Sequence, residues 1–297
     1  MSAPAPETVL LVAHTHRPNA VSVAQEIAKR LSDAGVTVRV LASEAGVLEC
    51  AGAMGVPEDT HAAENAALVI ALGGDGTLLR AAELARAEDA PLLGVNLGHV
   101  GFLAEADPVA LDVTAARILS GEYDVEERLA IDVTVLRQGE VVIRDWALND
   151  MSVEKAAREH MINLVLEIDG RPLSRWGCDG IVCATPTGST AYAFSAGGPV
   201  VWPSVQALLV VPLSAHALFA RPLVVSPRST VAVEIVQEDA TAVMFCDGRR
   251  THEIEPHDRL EVTRSDQPVR LVRLRKAPFT DRLVDKFQLP VQGWSGR

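Results

Sequence analysis

Residues 67–87, ALVIALGGDGTLLRAAELARA, place a strand, a glycine-rich turn and a helix in immediate succession. The first six residues are apolar and rich in branched side chains, a pattern that is typical of a buried strand. Residues 77–87 repeat apolar side chains at helical spacing. A strand that passes directly into a helix is typical of a parallel sheet covered by helices.

The same alternation of strand and helix patterns extends over the first third of the chain. Residues 9–13, 36–41 and 92–95 are further apolar runs of strand length. Between the first two runs, apolar side chains recur at helical spacing until Gly35, a residue that commonly ends helices. The alternation of strands and helices predicts an α/β domain with a parallel sheet, which we place at residues 1–127.

The pattern changes near Arg128. From there, short runs alternate apolar and polar residues, and turn dipeptides such as Asp169-Gly170 separate them. Such alternation with few helices predicts an antiparallel, sandwich-like β domain, which we place at residues 128–276. Residues 269–272 continue the alternation and are assigned to this domain. The remaining residues, 277–297, are too irregular to assign.

Composition and charge narrow the functional classes. The chain has 297 residues, of which 48% are hydrophobic, so globular domains are expected. Its 39 acidic residues outnumber 27 Lys and Arg residues, which disfavours a nucleic-acid partner bound through basic patches. No apolar run approaches the ~20 residues of a membrane-spanning helix, so no membrane partner is expected.

Cysteine spacing and the N-terminal residues favour a cytoplasmic location. The four cysteines include no C-x-x-C pair, which disfavours a zinc ribbon and a thioredoxin motif. His252, Glu253 and His257 miss the spacing of a zinc-protease helix, so no metal site made by the protein alone is predicted. The first residues lack the basic cluster and apolar core of an export signal. Scattered reduced thiols are consistent with the cytoplasm.

The turn at residues 73–77 combines the features of a phosphate loop with one acidic residue. Glycines let backbone N–H groups approach a ligand, and the start of the following helix favours anions. Asp75 adds negative charge there, which makes sense if it accepts a proton from an attacking hydroxyl or helps to hold a metal. The alternative is a tight turn in which Asp75 caps the helix. We predict that Gly73, Gly74, Gly76 and Thr77 surround donor phosphates and that Arg80 offsets their charge.

Two further clusters carry polar groups that suit a nucleoside. Residues 185–192, TPTGSTAY, hold four hydroxyl side chains and Tyr192. The hydroxyls would bond ribose and base edges, and Tyr192 would offer an apolar face. Asn149-Asp150 adds an amide and a carboxylate that could hold a diol. The alternatives are an ordinary Ser/Thr-rich loop and a turn dipeptide.

These elements occur in the order typical of NAD kinases, a family that the chain resembles from residue 9 to about residue 250. The G-G-D-G element is shared with diacylglycerol, sphingosine and phosphofructokinases, whereas the Thr/Ser/Tyr loop is more specific to NAD kinases. The resemblance is carried by residues 73–77, 94–103, 149–150, 179–180, 185–192 and 212–223.

The resemblance implies both a reaction and the residues that serve it. Asp75 is implied as proton acceptor when ATP or polyphosphate, with Mg²⁺ or another divalent cation, phosphorylates the 2′-hydroxyl of the adenosine ribose of NAD. An active site between the two domains and a homo-oligomer, dimer or tetramer, are also implied. Many relatives have Glu where this chain has Asp150, which shortens the reach of the carboxylate. The residues implied to contact NAD are Asp75, Gly76, Arg80, Asn149, Asp150, His160, Asp179, Thr187, Thr190, Ala191, Tyr192, Ala193, Phe194 and Ser195.

Two rival interpretations stay open. A lipid or small-polyol kinase would share the G-G-D-G loop, but an apolar groove would be expected in place of the Thr/Ser/Tyr loop. A non-catalytic NAD-sensing module would be expected to have lost Asp75 or its flanking glycines, and all of these are present.

Overall fold

The computed structural model describes residues 6–97, 101–103, 111–156, 161–236, 241–274 and 278–291. The chain divides into two units. Unit 1 comprises Met1–Glu127 together with Val269–Arg297, and unit 2 comprises Arg128–Pro268. Both ends of the sequence therefore belong to unit 1.

Strands and helices are numbered in chain order. The strands are β1 (Thr8–Ala13), β2 (Thr37–Leu41), β3 (Met54–Val56), β4 (Leu68–Gly73), β5 (Leu92–Asn96), β6 (Asp124–Arg128), β7 (Ile131–Arg137), β8 (Glu140–Ala147), β9 (Asp150–Lys155), β10 (Ile162–Ile168), β11 (Arg171–Cys178), β12 (Gly180–Ala184), β13 (Leu208–Leu213), β14 (Leu223–Val225), β15 (Val231–Ile235), β16 (Ala242–Cys246), β17 (Arg250–Ile254), β18 (Arg259–Arg264) and β19 (Val269–Arg273). The α-helices are α1 (Pro18–Asp33), α2 (Ala42–Leu48), α3 (Asp75–Ala87), α4 (Leu111–Ser120), α5 (Tyr192–Ser195) and α6 (Phe279–Phe287).

Unit 1 contains a seven-stranded sheet of order β3-β2-β1-β4-β5-β19-β6. Its neighbours from β3 through β19 pair in parallel. Strand β4 is buried along its whole length, as expected where helices cover both faces of a parallel sheet. On α1, Ala24, Ile27 and Leu31 are fully buried, and Gly35 follows the helix with φ of +83°.

The strand order of unit 1 reverses between β1 and β4. From β1 the chain passes through α1 to β2 and β3 on one side, and it then returns to β4 on the other side of β1. Such a reversal creates a switch point at the carboxyl ends of the two strands, where open α/β sheets bind their ligands. The turn of residues 73–77 leaves β4 at this place.

Unit 2 consists of two antiparallel six-stranded sheets. Their orders are β11-β10-β15-β18-β7-β8 and β14-β13-β12-β9-β16-β17. Alternate side chains of both sheets meet in one apolar core, in which Trp176 is fully buried. Asp169 and Gly170 have φ of 52° and 73°, as a tight hairpin turn between β10 and β11 requires. The predicted α/β and antiparallel β classes are confirmed.

One prediction about the C-terminal region is wrong. Residues 269–272 were assigned to the β domain, but β19 lies in the sheet of unit 1, with Leu271 parallel to Leu92 of β5. Alternating apolar residues identify a strand but not the sheet it joins, which explains the error. Helix α6 forms within the stretch that the sequence left unassigned, and it buries Leu283. Among the described residues, no helix combines the length and apolar character needed to cross a membrane.

Candidate active site

Asp75 is the first residue of α3 and lies at the switch point of unit 1. The N-cap is Gly74, and no side chain in the described chain caps the helix. The alternative in which Asp75 caps α3 is therefore wrong. Its Oδ1 atom is buried and has no hydrogen-bond partner among the residues that the structure describes. Such an atom is costly to bury, which favours a role in binding or chemistry.

The glycines around Asp75 differ in the space beside them. A Cβ atom at Gly73 would overlap the Thr77 hydroxyl, so this position packs closely against α3. A Cβ atom at Gly74 or Gly76 would meet no atom within 4 Å in the described ranges. Together with the unpaired N–H groups of a helix start, this space suits the phosphates of a donor.

Two residues without a predicted role also lie beside this turn. A Cβ atom at Gly101 would overlap Asp75 Oδ1 and approach Oδ2 to 3.2 Å, so Gly101 lies directly against the carboxylate. The Cβ atom of His14, at the end of β1, lies 3.2 Å from where Gly73 would carry one. Within the described part of the chain, Nδ1 of His14 is buried without a partner. Of the similar stretch 94–103, residues 98–100 lie outside the described residues.

Arg80 is held by two carboxylates. Its Nε and Nη2 atoms donate to the two oxygens of Glu58 at 2.6 and 2.7 Å, and Nη1 donates to Glu44 at 2.5 Å. The other oxygen of Glu44, a buried residue, accepts the backbone N–H of Ala13 at 2.9 Å. Hydrogen bonding to Glu58 raises the pKa of Arg80, and burial raises the pKa of Glu44. The guanidinium that was predicted to offset phosphate charge is thus paired with protein carboxylates in this structure.

In unit 2, the carboxylate of Asp247 fixes the backbone of Asn149 and Asp150. It accepts the N–H groups of Leu148 at 3.0 Å, Asn149 at 2.6 Å and Asp150 at 3.4 Å. The N–H of Asp247 donates back to the carbonyl of Asp150 at 2.9 Å. Asp247 and Gly248 form the turn between β16 and β17, with φ of 55° and 63°. Charged acceptors make strong hydrogen bonds, so this turn sets the direction of the Asn149-Asp150 pair.

The side chains of that pair are buried and polar. Asp150 is only 5% exposed, and its carboxylate accepts the backbone N–H of Tyr192. Burial, followed by the nearby charge of Asp247, raises the pKa of Asp150 to about 7. In the described ranges, Oδ1 of Asn149 is buried and lacks a hydrogen-bond partner. Both side chains keep hydrogen-bonding capacity that a polar ligand could use.

Three of the four Thr and Ser hydroxyls in residues 185–192 donate hydrogen bonds within the protein, and the longest is the 3.3 Å bond from Thr190 Oγ1 to the Thr187 carbonyl. Thr185 Oγ1 donates to the Leu148 carbonyl at 2.6 Å and accepts the Gly188 N–H at 3.0 Å. Ser189 Oγ donates to the Pro186 carbonyl at 2.7 Å and accepts the Val201 N–H at 2.9 Å. Both side chains are fully buried. Thr185 and Ser189 therefore shape the loop, and contact between the hydroxyls of this loop and a nucleoside stays a prediction.

Other residues implied to contact NAD lie in different environments. Thr187 is buried, Thr190 and Ala191 are partly exposed, and Tyr192, Phe194 and Ser195 are exposed on or beside α5. Ala193 is fully buried in an apolar cluster, which leaves only its backbone for a ligand. His160 lies outside the described residues.

Asp179 and Tyr192 have charged neighbours. Asp179 forms an ion pair with Lys155 at 2.6 Å, and this contact lowers the pKa of Asp179. Burial and the adjacent Glu154 raise the pKa of the Tyr192 hydroxyl. These groups lie around the C-terminal end of β9, because Glu154 and Lys155 are the last residues of that strand and Asp179 directly precedes its neighbour β12.

Family models match both parts of the chain. Residues 9–123 match the ATP-NAD kinase N-terminal domain, and residues 148–274 match the ATP-NAD kinase C-terminal domain. The chain belongs to the NAD kinase family. It is similar to the NAD kinase of Thermobifida fusca, with 58% identity covering 98% of this chain and 92% of that protein. NAD kinase 2 of Streptomyces coelicolor is 57% identical, covering 97% of each chain.

Two solved kinase structures share the fold. Yeast NADH kinase complexed with NADH has a TM-score of 0.88 at 24% identity, covering 98% of this chain and 90% of that one. An NAD kinase from Archaeoglobus fulgidus in complex with ATP has a TM-score of 0.71 at 25% identity, covering 95% and 98%. The predicted family is therefore confirmed by sequence, and its fold by structure.

Proposed function

We propose that this chain transfers a phosphoryl group from ATP to the 2′-hydroxyl of the adenosine ribose of NAD, which yields NADP. Relatives named NAD kinase support this activity, with 58% identity over nearly the full chain. The structural observation that carries the proposal is the buried Oδ1 of Asp75, which lacks a hydrogen-bond partner within the described residues. It lies at the switch point, beside a helix start that favours phosphate.

Asp75 serves as the general base. A ribose hydroxyl is a weak nucleophile at neutral pH, and a positioned carboxylate that takes its proton commonly contributes about 10²–10⁴ in rate. As the hydroxyl oxygen bonds to the γ-phosphorus, its proton passes to the carboxylate and ADP leaves with the electrons of the broken P–O bond. The N–H groups at the start of α3 face the phosphates.

A divalent cation fits this donor site. No group of three acidic, histidine or cysteine side chains suited to a metal occurs among the described residues. Mg²⁺ usually takes one or two protein carboxylates together with substrate phosphates, so a single carboxylate beside open space is sufficient. Asp75 is the residue that would contact the ion, and the ion would neutralise charge on the phosphates of ATP.

Unit 2 supplies the groups that hold NAD. The Asp150 carboxylate accepts hydrogen bonds from ribose hydroxyls. The Asn149 side chain donates through its amide N–H groups and accepts through its oxygen. Asp247 orients both residues through their backbone. The exposed Tyr192 and Phe194 offer aromatic faces for the rings of the dinucleotide. Thr187, Thr190, Asp179 and the backbone of Ala193 are further contacts in this proposal.

Neither rival interpretation gains support from the structure. Residues 185–192 form a polar loop closed by internal hydrogen bonds, where a lipid kinase would need an apolar groove. An NAD sensor would have no use for a buried carboxylate oxygen at a phosphate-favouring helix start.

A homo-oligomer in the cytoplasm completes the proposal. Unit 2 exposes large apolar side chains at Leu218, Phe219 and Val224, which supports association between copies. Light scattering of the purified protein should give a mass corresponding to a dimer or tetramer, and a monomer at micromolar concentration would contradict this part of the proposal.

Asp75→Asn provides the decisive test of the mechanism. The amide keeps the shape of the side chain but cannot take the proton, so kcat should fall at least ~10²-fold while NAD affinity changes less than about tenfold. Turnover should be measured with NAD and either ATP or polyphosphate as donor. Asp33→Asn, an exposed carboxylate on α1, is the matched control and should retain full turnover.

The dependence on Mg²⁺ separates two roles for Asp75. Recovery of full turnover at high Mg²⁺ would exclude the general-base role and leave Asp75 only its contact with the ion. Near-normal turnover of Asp75→Asn at every Mg²⁺ concentration would exclude both roles.

A further inference from the structure

We propose that helix α6 is a positioning element for the reaction: it anchors Phe102, so that the neighbouring Gly101 stays against Asp75 and fixes the carboxylate. This inference rests on the proposed function of Asp75 as general base. All the groups involved belong to unit 1, although α6 begins more than two hundred residues after Asp75 in the sequence.

Phe102 is anchored by aromatic contacts with α6. Its ring centroid lies 5.9 Å from that of Phe279 and 5.7 Å from that of Phe287, with the rings tilted by 40° and 47°. Phe102 is only 9% exposed. Tilted aromatic pairs at such distances contribute stabilisation beyond the burial of their surface. The first and last residues of α6 therefore both pack against the Phe102 side chain.

Hydrogen bonds from the C-terminal segment fix the backbone of the same stretch. Arg282 of α6 donates through Nη1 to the Phe102 carbonyl at 3.0 Å. Arg273, at the end of β19, donates through Nη1 to the Leu103 carbonyl at 3.2 Å. Arg273 is 4% exposed and also donates to Glu126 at 3.0 Å. A buried guanidinium with several acceptors is a rigid support.

Gly101 connects the anchored stretch to Asp75 by direct contact. The glycine lies so close to the carboxylate that a Cβ atom would overlap Oδ1. Contact of this kind limits the positions open to the Asp75 side chain and keeps its Oδ1 away from water. A displacement of a reacting group by about 1 Å can cost 10²-fold in rate. Loosening α6 should therefore reduce kcat without weakening NAD binding.

The test uses the full-length chain with substitutions in α6. Phe287→Ala should lower kcat about 10- to 100-fold, while the KM values for NAD and ATP change less than about threefold. Phe287→Leu retains most of the apolar volume and should restore much of the lost turnover. Lys286→Ala, exposed on the same helix, is the matched control and should behave as the parent. If Phe287→Ala does not fold, Arg282→Met is measured instead. This substitution removes the hydrogen bond to the Phe102 carbonyl and keeps an aliphatic side chain similar to the arginine stem.

Gly101→Ala tests the contact itself. The new methyl group displaces the short Asp75 side chain rather than backbone, so turnover should fall nearly as far as in Asp75→Asn while the unfolding midpoint changes little. The double variant Asp75→Asn/Phe287→Ala should show no further fall beyond Asp75→Asn, because α6 acts only through that carboxylate.

The outcomes distinguish the positioning role from the proposed function. Normal turnover of Asp75→Asn would overturn the general-base proposal and this inference with it. A severe defect in Asp75→Asn combined with parental kcat in Phe287→Ala and Gly101→Ala would overturn only the positioning role. A multiplicative loss in the double variant would show that α6 acts independently of Asp75 and would also contradict the inference.

Discussion

Asp150 is a buried residue of unit 2 whose carboxylate has hydrogen-bonding capacity for a ligand. Its carboxylate is buried beside Asp247 and accepts one backbone N–H, from Tyr192. If it holds ribose hydroxyls, Asp150→Ala should raise the KM for NAD about 10- to 150-fold, the equivalent of ~1.5–3 kcal/mol for a charge-assisted hydrogen bond. Steady-state kinetics at saturating ATP measures this, with the exposed Asp266→Ala as control. An unchanged KM would mean that the pair only shapes the chain.

The charge of Asp150 should also make stability depend on pH. Its pKa is about 7 in the folded protein against an ordinary 3.8, so the folded state binds more protons than the unfolded state between these values. The resulting stabilisation is present at low pH and is lost as pH rises through about 7. Asp150→Asn removes this dependence and can still accept the Tyr192 N–H. Urea unfolding without NAD should therefore show Asp150→Asn stabilised relative to the parent by more at pH 8 than at pH 5, by on the order of 2–4 kcal/mol. An equal difference at both pH values would contradict the assignment.

At the scale of elements, the loop of residues 185–192 and the start of β9 form one packed assembly. A Cβ atom at Gly188 would overlap the backbone of Asn149, so Gly188→Ala must push the two segments apart. It should destabilise the protein by roughly 1–3 kcal/mol and weaken NAD binding, as urea unfolding and calorimetric titration would show. Gly177→Ala, whose new methyl would have only ordinary contacts of 3.5 Å or more, should leave both unchanged. A fully stable Gly188→Ala would show that the loop is not packed in this way.

Sequence patterns predicted helix ends and turns well where the residues that determine them lie within a few positions of one another. Gly35 after α1 and the Asp169-Gly170 hairpin follow from the left-handed backbone that these residues accept. The helix after residues 73–77 starts at Asp75, two residues earlier than its apolar spacing indicates, because Gly74 serves as N-cap. The bonds of Thr185 to the Leu148 carbonyl and of Ser189 to the Val201 N–H were not predictable, since these partners are 37 and 12 residues away in the sequence.

For the whole molecule, the discontinuity of unit 1 leads to a prediction about fragments. Residues 1–127 alone lack β19, which lies between β5 and β6 in the sheet. They should show no cooperative urea transition, whereas the same residues joined by a short linker to residues 269–297 should show one. Residues 128–268 alone contain both sheets of unit 2 and should unfold cooperatively. A cooperative transition of residues 1–127 by themselves would contradict this prediction.

Long-range organisation was the part that the sequence did not reveal. Asp247 appears in the sequence only as half of an Asp-Gly turn, yet it bonds three backbone N–H groups about a hundred residues earlier in the chain. Gly101 has no local signal that it contacts Asp75. Both contacts join residues that are distant in sequence. The composition and hydrophobic periodicity of a single sequence carry no information about such pairs.

The late arrival of β19 also has a consequence for biosynthesis. Ribosomes release the chain from its N-terminus at roughly 5–20 residues per second, and domains generally fold as contiguous stretches emerge. Unit 2 is contiguous and is complete once Pro268 leaves the exit tunnel, but the first sheet still awaits the strand that joins β5 to β6. The half of the enzyme that is translated first is thus the half that finishes folding last, and the edge of its sheet at β5 stays open until β19 has been synthesised.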